Sequence, residues 1–184
     1  MKKIYFYLLL LIGFTLSTTS CLKDDSSWEE YEKWRIANEE FFTQMQDSID
    51  ASTGLPYYSQ IASEAYPDYH VLYRVITEGD PDGKKPYYTS TVRVNYSGHL
   101  YNTDENFDEA TNTDFLVTDV ISGWTWALQN MTVGSKWEVI IPWQLGYGTT
   151  VTSSIPAYST LVFTIELVSI PKWETGENSS DSDS

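Results

Sequence analysis

Several residue types that mark common classes of protein are scarce in this chain of 184 residues. The single cysteine, Cys21, excludes an intramolecular disulfide. The two histidines, His70 and His99, have no partners at metal-ligand spacing, so we expect both to be ordinary strand residues. The sequence also contains no glycine-rich phosphate loop and no internal repeat. We therefore expect neither a metal nor a cofactor.

Basic residues are scarce as well. The chain has 11 Lys and Arg against 26 Asp and Glu, which gives a formal net charge of −15 at pH 7. Because like charges repel, such a balance argues against binding to nucleic acid or to anionic lipid surfaces. We expect no nucleic-acid partner.

Long apolar runs are confined to the N-terminus. Ile4 to Leu16 is apolar and follows Lys2 and Lys3, and small residues come next. This composition predicts a signal peptide over residues 1–20. The alternative is a membrane-anchor helix, for which the run is short and too quickly followed by charge.

Cys21 directly follows the small residues Ser17 to Ser20, a segment similar to the lipobox of bacterial lipoproteins, in which the cysteine is acylated. We expect a lipidated Cys21, with an ordinary free cysteine as the alternative, and a tether over residues 21–27. Leu22 to Asp25 reads LKDD, which is similar to the surface-export signal of Bacteroidetes lipoproteins, although a solvated linker would look the same. The expected location is the cell envelope, as an outer-membrane lipoprotein on the surface or periplasmic face.

Residues 28–68 are predicted to form an N-terminal helix and a connector. Ser27 is the predicted N-cap, with Glu30 at capping-box spacing. The helix either packs on its own domain or forms a dimerisation or partner surface within residues 28–49. Residues 50–68 have no clear periodicity and are predicted to be an ordered, irregular connector. The apolar stripe that predicts an amphipathic helix consists of Trp28, Tyr31, Trp34, Ala37, Phe41 and Met45.

Strand signals dominate the rest of the chain up to Pro171. Only Trp124 to Met131 has a helical character there. We therefore predict an α+β domain over residues 69–171, with an antiparallel sheet wrapped around one short helix. Residues 172–184 are predicted to be a disordered acidic tail. The runs rich in β-branched and aromatic residues are 71–76, 91–96, 137–141 and 161–170.

Five sequence blocks in fixed order carry a resemblance to a known family. They are LYRVITEGDPDGKKP, TVRVNYSGHLYNTDENFDEA, VISGWTWALQNM, VGSKWEVIIPWQLGYG and SIPAYSTLVFTIEL. The segment from about Tyr69 to Ile170 resembles the FKBP-type peptidyl-prolyl cis/trans isomerases. This resemblance implies the FKBP-like fold and a folding helper that isomerises X-Pro bonds of envelope or secreted proteins. The alternative is a non-catalytic FKBP-like module that binds a peptide, a glycan or a partner protein.

The resemblance also implies an aromatic cup for a proline ring. Trp124 would form its floor, while the Ile121 amide and the Tyr147 hydroxyl would each meet a substrate carbonyl. Asp108 would be a positioning hydrogen-bond acceptor and not a general base. The implied set is Tyr96, Phe107, Asp108, Val120, Ile121, Trp124, Tyr147, Ile155 and Phe163, with Phe115 at the pocket edge.

The chain departs from the family pattern near the predicted pocket. Gly146 stands where alanine is usual, Ile155 to Tyr158 reads IPAY in place of the commoner I-P-P-x, and the segment from Asp108 to Phe115 is short. We expect these differences to affect substrate preference and rate more than the fold.

Overall fold

The structure, a computed structural model, describes residues 25–63 and 66–173. The predicted signal peptide, Cys21 and residues 174–184 of the predicted tail lie outside the described residues. Within the described part of the chain, no helix is long and apolar enough to cross a membrane.

The described residues contain six strands, β1 Ser59–Ser63, β2 Tyr66–Thr77, β3 Thr91–Leu100, β4 Asn106–Leu116, β5 Lys136–Ile141 and β6 Leu161–Lys172, and between β4 and β5 a short helix, α2 Ser122–Leu128. The six strands form one antiparallel sheet in the order β1-β2-β5-β6-β3-β4. A short helix, α2, packs near β1 and β2, which confirms the predicted α+β fold with one short helix. The chain enters α2 (Ser122–Leu128) from a 3₁₀ turn at Val117–Asp119, and a second 3₁₀ turn at Trp143–Leu145 follows β5.

The central strands are buried on both faces. Leu72, Ile140 and Val162 are register neighbours on β2, β5 and β6, and they form one cluster. Their sequence neighbours Val71 and Ile141 belong to the other cluster, which includes α2. Because successive strand residues point to opposite faces, this double burial explains why these strands read as continuous apolar runs.

The N-terminal helix α1 runs over Asp25–Gln46 and spans two units of the chain, one ending at Lys33 and the other starting at Trp34. Since no proline or glycine stops it earlier, the helix begins before Ser27. The predicted N-cap at Ser27 is therefore wrong, because the helix already includes Asp25. In the first unit, Lys33 pairs with Glu29 over 2.7 Å.

From Trp34 onward, the apolar stripe of α1 packs on the sheet of its own unit. Phe41, Phe42 and Met45 pack against the cluster that contains Leu72. The Trp34 and Phe41 rings also lie 5.4 and 5.3 Å from the Tyr101 ring. The stripe residues of the first unit are exposed, Trp28 by 72% and Tyr31 by 44%.

Two predicted boundaries differ from the structure. Residues 50–68 were expected to be irregular, but they contain β1 and the start of β2. The predicted disordered tail starts too early, because Lys172 ends β6 and Trp173 stacks on Tyr87 with ring centroids 5.1 Å apart. His70 and His99 lie in β2 and β3, as predicted.

Candidate active site

Strands β3 and β4 contribute one wall of the candidate site. Tyr96 lies on β3, and its hydroxyl donates to Oδ2 of Asp108 on β4 over 2.8 Å. Gly98 is the register partner of Asp108, so this hydrogen bond runs diagonally across the strand pair. Burial, the hydrogen bond and the Asp108 charge raise the pKa of Tyr96 to about 12. The phenol is therefore a protonated donor at neutral pH.

Helix α2 brings Trp124 beneath this wall. Gly123 lets the helix approach β5, since a Cβ at this position would collide with the Ile141 side chain. The Ile121 carbonyl accepts from the amides of Trp124 and Thr125 over 2.9 and 3.1 Å. The Thr125 hydroxyl donates to the Val117 carbonyl over 2.9 Å. These bonds fix the turn that carries Val120 and Ile121 against the start of the helix.

The Trp124 ring is the centre of an aromatic cluster. It lies edge-to-face with Tyr96, Phe115 and Phe163, at centroid distances of 5.1, 5.8 and 5.2 Å. Phe107 in turn lies edge-to-face with Phe163 at 5.5 Å. Such perpendicular arrangements are favourable because the positive edge of one ring meets the negative face of the other. The cluster holds Trp124, which is only 4% exposed, in one orientation.

These side chains surround one cavity of about 240 Å³. Ile155 is not among its lining residues. It is buried in the same apolar cluster as Trp124 and Phe163. Asp119 also lines the cavity, but we did not predict it as a site residue from the sequence. Its only signal in the sequence is its position directly before Val120. The lining consists of Tyr96, Phe107, Asp108, Phe115, Asp119, Val120, Ile121, Trp124, Tyr147 and Phe163.

Two hydrogen-bond donors at the cavity are free for a ligand. Neither the Ile121 amide nor the Tyr147 hydroxyl donates to another group in residues 25–63 and 66–173. Tyr147 is 40% exposed, so its hydroxyl is accessible. The indole N–H of Trp124 is also without a partner in the described part of the chain, but it is buried. The site thus combines an apolar floor with polar groups at its rim, which suits a ligand that has an apolar ring and flanking carbonyls.

A second cavity, of about 250 Å³, lies beside α1 and contains none of the predicted site residues. Its lining includes Glu39 and Trp143. The Trp143 indole N–H donates to Oε1 of Glu39 over 3.2 Å. This cavity has no aromatic cup of the kind that surrounds Trp124, so we do not assign the predicted chemistry to it.

An antiparallel sheet that holds an aromatic cup over one short helix defines an α+β domain with a single candidate binding cup in its described residues. Comparisons with known proteins give the family. The model of the family FKBP-type peptidyl-prolyl cis-trans isomerase matches residues 83–168. A crystal structure of a peptidyl-prolyl cis-trans isomerase from Pseudomonas syringae pv. tomato superposes with a TM-score of 0.63 at 32% identity, and covers 76% of this chain and 94% of that one. This chain belongs to the FKBP-type peptidyl-prolyl cis-trans isomerase family.

Two curated relatives are similar over the same domain. The FKBP-type 22 kDa peptidyl-prolyl cis-trans isomerase of Escherichia coli is 44% identical over 102 residues, which are 53% of this chain and 48% of that protein. The outer membrane protein MIP of Legionella longbeachae is 40% identical over 104 residues, which are 54% of this chain and 44% of that protein. The chain therefore spans about half the length of the curated relatives that it matches.

Proposed function

We propose that this protein is a peptidyl-prolyl cis/trans isomerase that acts as a folding helper on X-Pro bonds of envelope or secreted proteins. The observation that carries the proposal is the Trp124 ring, held as the floor of a cup by three edge-to-face neighbours. A flat apolar floor of this kind fits a proline ring. Tyr147 and the Ile121 amide lie at the same cavity and can donate to peptide carbonyls.

The chemistry requires no nucleophile. Rotation about a peptide bond costs about 18 to 20 kcal/mol because twisting destroys amide resonance. The twisted amide has lost much of its carbonyl dipole, so an apolar cup disfavours it less than it disfavours the planar form. Catalysis then consists of tighter binding of the twisted state than of the planar state. A preference of about 4 kcal/mol would accelerate exchange about a thousandfold.

We propose the following roles for the site residues. The two donors, on Tyr147 and Ile121, would hold the peptide on either side of the proline. Asp108 accepts from Tyr96 and would fix that ring as a wall, with no proton transfer to the substrate. Phe107, Phe115 and Phe163 would exclude water from the rotating bond. Val120 would line the rim and Ile155 would support the wall from the core.

The test compares two tryptophans of α2 in a protease-coupled assay with a proline tetrapeptide. Trp124→Phe shortens the floor of the cup, whereas the matched control Trp126→Phe changes a partly buried ring that does not line the cavity. We expect Trp124→Phe to lower kcat/KM at least tenfold and Trp126→Phe to leave it within about twofold. Wild-type protein without activity above the uncatalysed rate would overturn the proposal. Equal losses of kcat/KM in both variants would contradict the assignment of Trp124 as the floor of the cup.

We further propose that the protein is exported and anchored in the cell envelope by lipidation of Cys21. The support is the sequence pattern, together with the relative that is named an outer membrane protein. In cells, Cys21→Ala should move the protein from the membrane fraction to the soluble fraction. Protease accessibility of intact cells would then distinguish the surface from the periplasmic face. Wild-type protein that is soluble and unprocessed would contradict this assignment.

We also propose dimerisation through residues 28–49, because the aromatic side chains of Trp28 and Tyr31 are exposed. From Trp34 onward the stripe is already engaged with its own sheet, so a dimer would use the segment before Trp34. Sedimentation of wild type and of the double variant Trp28→Ala, Tyr31→Ala tests this. A dimer that the double variant converts to monomer is expected, and a monomeric wild type would refute it.

A further inference from the structure

We propose that Trp143 is a positioning residue for Tyr147 and that Glu39 of α1 holds the Trp143 indole in place. The N-terminal helix would thereby help to set the geometry of the isomerase pocket. This inference rests on the proposed role of Tyr147 in binding the peptide. It assigns a function to a contact between the helix and the loop after β5 that the sequence did not indicate.

The backbone around Tyr147 is held by its own carbonyl, which accepts from the Thr150 amide over 3.1 Å, and by the Trp143 carbonyl. The Trp143 carbonyl accepts from the amides of Gly146 and Gly148, over 3.2 and 2.9 Å. These are the two residues that flank Tyr147. The Gly148 carbonyl in turn accepts from the amide of Tyr158 over 2.9 Å. A shift of Trp143 therefore reaches Tyr147 through both of its neighbours.

The other end of Tyr147, its side chain, lies at the cavity. Its side chain is 40% exposed, and its hydroxyl makes no hydrogen bond within the described residues. The direction of the hydroxyl is thus set by the backbone at position 147 and not by a partner of the hydroxyl itself. This makes the geometry of this donor sensitive to the loop that carries it.

The Trp143 side chain is fixed from two sides. Its ring lies edge-to-face with Tyr158 at 5.0 Å, and its indole N–H donates to Oε1 of Glu39 over 3.2 Å. Glu39 also accepts from Arg35 over 2.9 and 3.1 Å, which restrains the carboxylate. A charged acceptor strengthens the hydrogen bond to the indole.

The helix itself is fixed next to Glu39. Asn38 is fully buried, and its Oδ1 accepts from the Thr160 amide over 2.7 Å. The Thr160 hydroxyl donates to the Asn38 carbonyl over 3.2 Å. The part of α1 that holds Trp143 therefore has a defined position relative to the loop that ends at Thr160.

The experiment measures kcat and KM of the full mature chain with a proline tetrapeptide. Glu39→Ala removes the acceptor for the indole, whereas Glu39→Gln keeps an oxygen at the same place. We expect Glu39→Ala to lower kcat/KM by threefold to tenfold and Glu39→Gln to restore most of the loss. The matched control Glu40→Ala changes the exposed neighbouring carboxylate and should leave the rate unchanged. Arg35→Gln, which removes the ion pair but not the acceptor, should cost less than twofold.

A double-mutant cycle separates positioning from a general loss of structure. In the Tyr147→Phe background, Glu39→Ala should have little further effect, because the hydroxyl that it positions is already gone. Equal effects of Glu39→Ala in both backgrounds would overturn the inference. So would an unchanged rate in Glu39→Ala, or an equal loss in Glu39→Gln.

A readout without turnover keeps this test independent of the proposed isomerase function. The protein is labelled with 3-fluorotyrosine, and the ¹⁹F resonance of Tyr147 is assigned by its loss in Tyr147→Phe. That resonance should shift or broaden in Glu39→Ala and remain in place in Glu39→Gln and Glu40→Ala. An inactive wild type with this pattern would contradict the isomerase proposal alone. An active wild type whose Tyr147 resonance is unmoved in Glu39→Ala would contradict the inference alone.

Discussion

The Tyr96 hydroxyl donates to Oδ2 of Asp108 over 2.8 Å, diagonally across the pair of strands β3 and β4. This hydrogen bond connects the edge strand β4 to the Tyr96 ring, which lies edge-to-face with Trp124. We expect Asp108→Ala to lower kcat/KM about fivefold, since a hydrogen bond of this kind contributes about 1 kcal/mol. Asp108→Asn retains an acceptor oxygen and should lose less. Full activity in Asp108→Ala would show that this hydrogen bond does not contribute to the function of the pocket.

From the raised pKa of Tyr96 we predict how the stability of the fold depends on pH. The free phenol has a pKa of about 10, and in the fold burial and Asp108 raise the pKa of Tyr96 to about 12. The folded state therefore favours the protonated phenol. This contribution to stability is complete below pH 10 and is lost as the pH rises through 12. Chemical unfolding of wild type and Tyr96→Phe should show a stability difference that is constant from pH 7 to 9 and shrinks above pH 10. A difference that already falls between pH 7 and 9 would contradict the assignment.

Gly98 is predicted to be intolerant of a side chain. A Cβ at this position would lie 2.9 Å from Cζ of Phe107 and 2.7 Å from Cδ1 of Phe163. Gly98→Ala must therefore displace at least one of two cavity-lining rings, which we expect to cost about 1 to 3 kcal/mol in the free energy of unfolding. Activity should fall more than tenfold at temperatures where the variant is folded. Ser97→Ala, on the same strand but outside the cavity lining, is the control and should behave as wild type in urea unfolding and turnover.

The cavity has an acidic rim. Asp108 and Asp119 line it, and no Lys, Arg or His is among its lining residues. We expect peptides with lysine next to proline to be turned over about threefold faster than those with glutamate, because exposed charges contribute only modestly. The ratio should approach one in high salt and should shrink in Asp119→Asn. The control Asp104→Asn, away from the lining, should leave the ratio as it is. A ratio that does not depend on salt would exclude a charge effect.

Asn38 is predicted to stabilise the fold. It is buried and bonds to the Thr160 amide, which is itself buried. Asn38→Ala would leave that amide without a partner, at a cost of about 1 to 3 kcal/mol. Urea unfolding measures the loss, and Glu40→Ala serves as the exposed control. An effect below about 0.5 kcal/mol would mean that another acceptor replaces Asn38.

The sequence predicted the central strands and missed both edge strands. β2, β5 and β6 bury residues on both faces, so their apolar runs are long and easily identified. β1 reads SQIAS, with a single β-branched residue, and β4 reads NFDEATNTDFL, in which no residue is fully buried and mostly polar residues separate Phe107 from Phe115. An edge strand pairs on one side only and buries little apolar surface, so its composition carries a weak strand signal.

The set of pocket residues was predicted from the family resemblance, whereas the contacts that hold these residues in place were not predicted. Eight of the nine predicted residues, together with Phe115, line the cavity, and Ile155 is buried in the same apolar cluster as Trp124. Asp119 and Trp143 were not predicted as functional residues. The role proposed for Trp143 depends on its contact with Glu39, which lies 104 residues away in the chain. No local periodicity in a single sequence indicates such a pair.

We propose that the cup around Trp124 isomerises X-Pro bonds and does more than bind them. NMR exchange spectroscopy on a proline tetrapeptide measures this directly, without a coupling protease. Uncatalysed exchange takes tens to hundreds of seconds. We predict cis/trans exchange cross-peaks with wild-type protein at catalytic concentration, in proportion to the protein added, and their loss with Trp124→Phe. The contrary result would be peptide resonances that shift on saturable binding while the exchange rate stays at its uncatalysed value. It would contradict isomerase activity and identify a binding module.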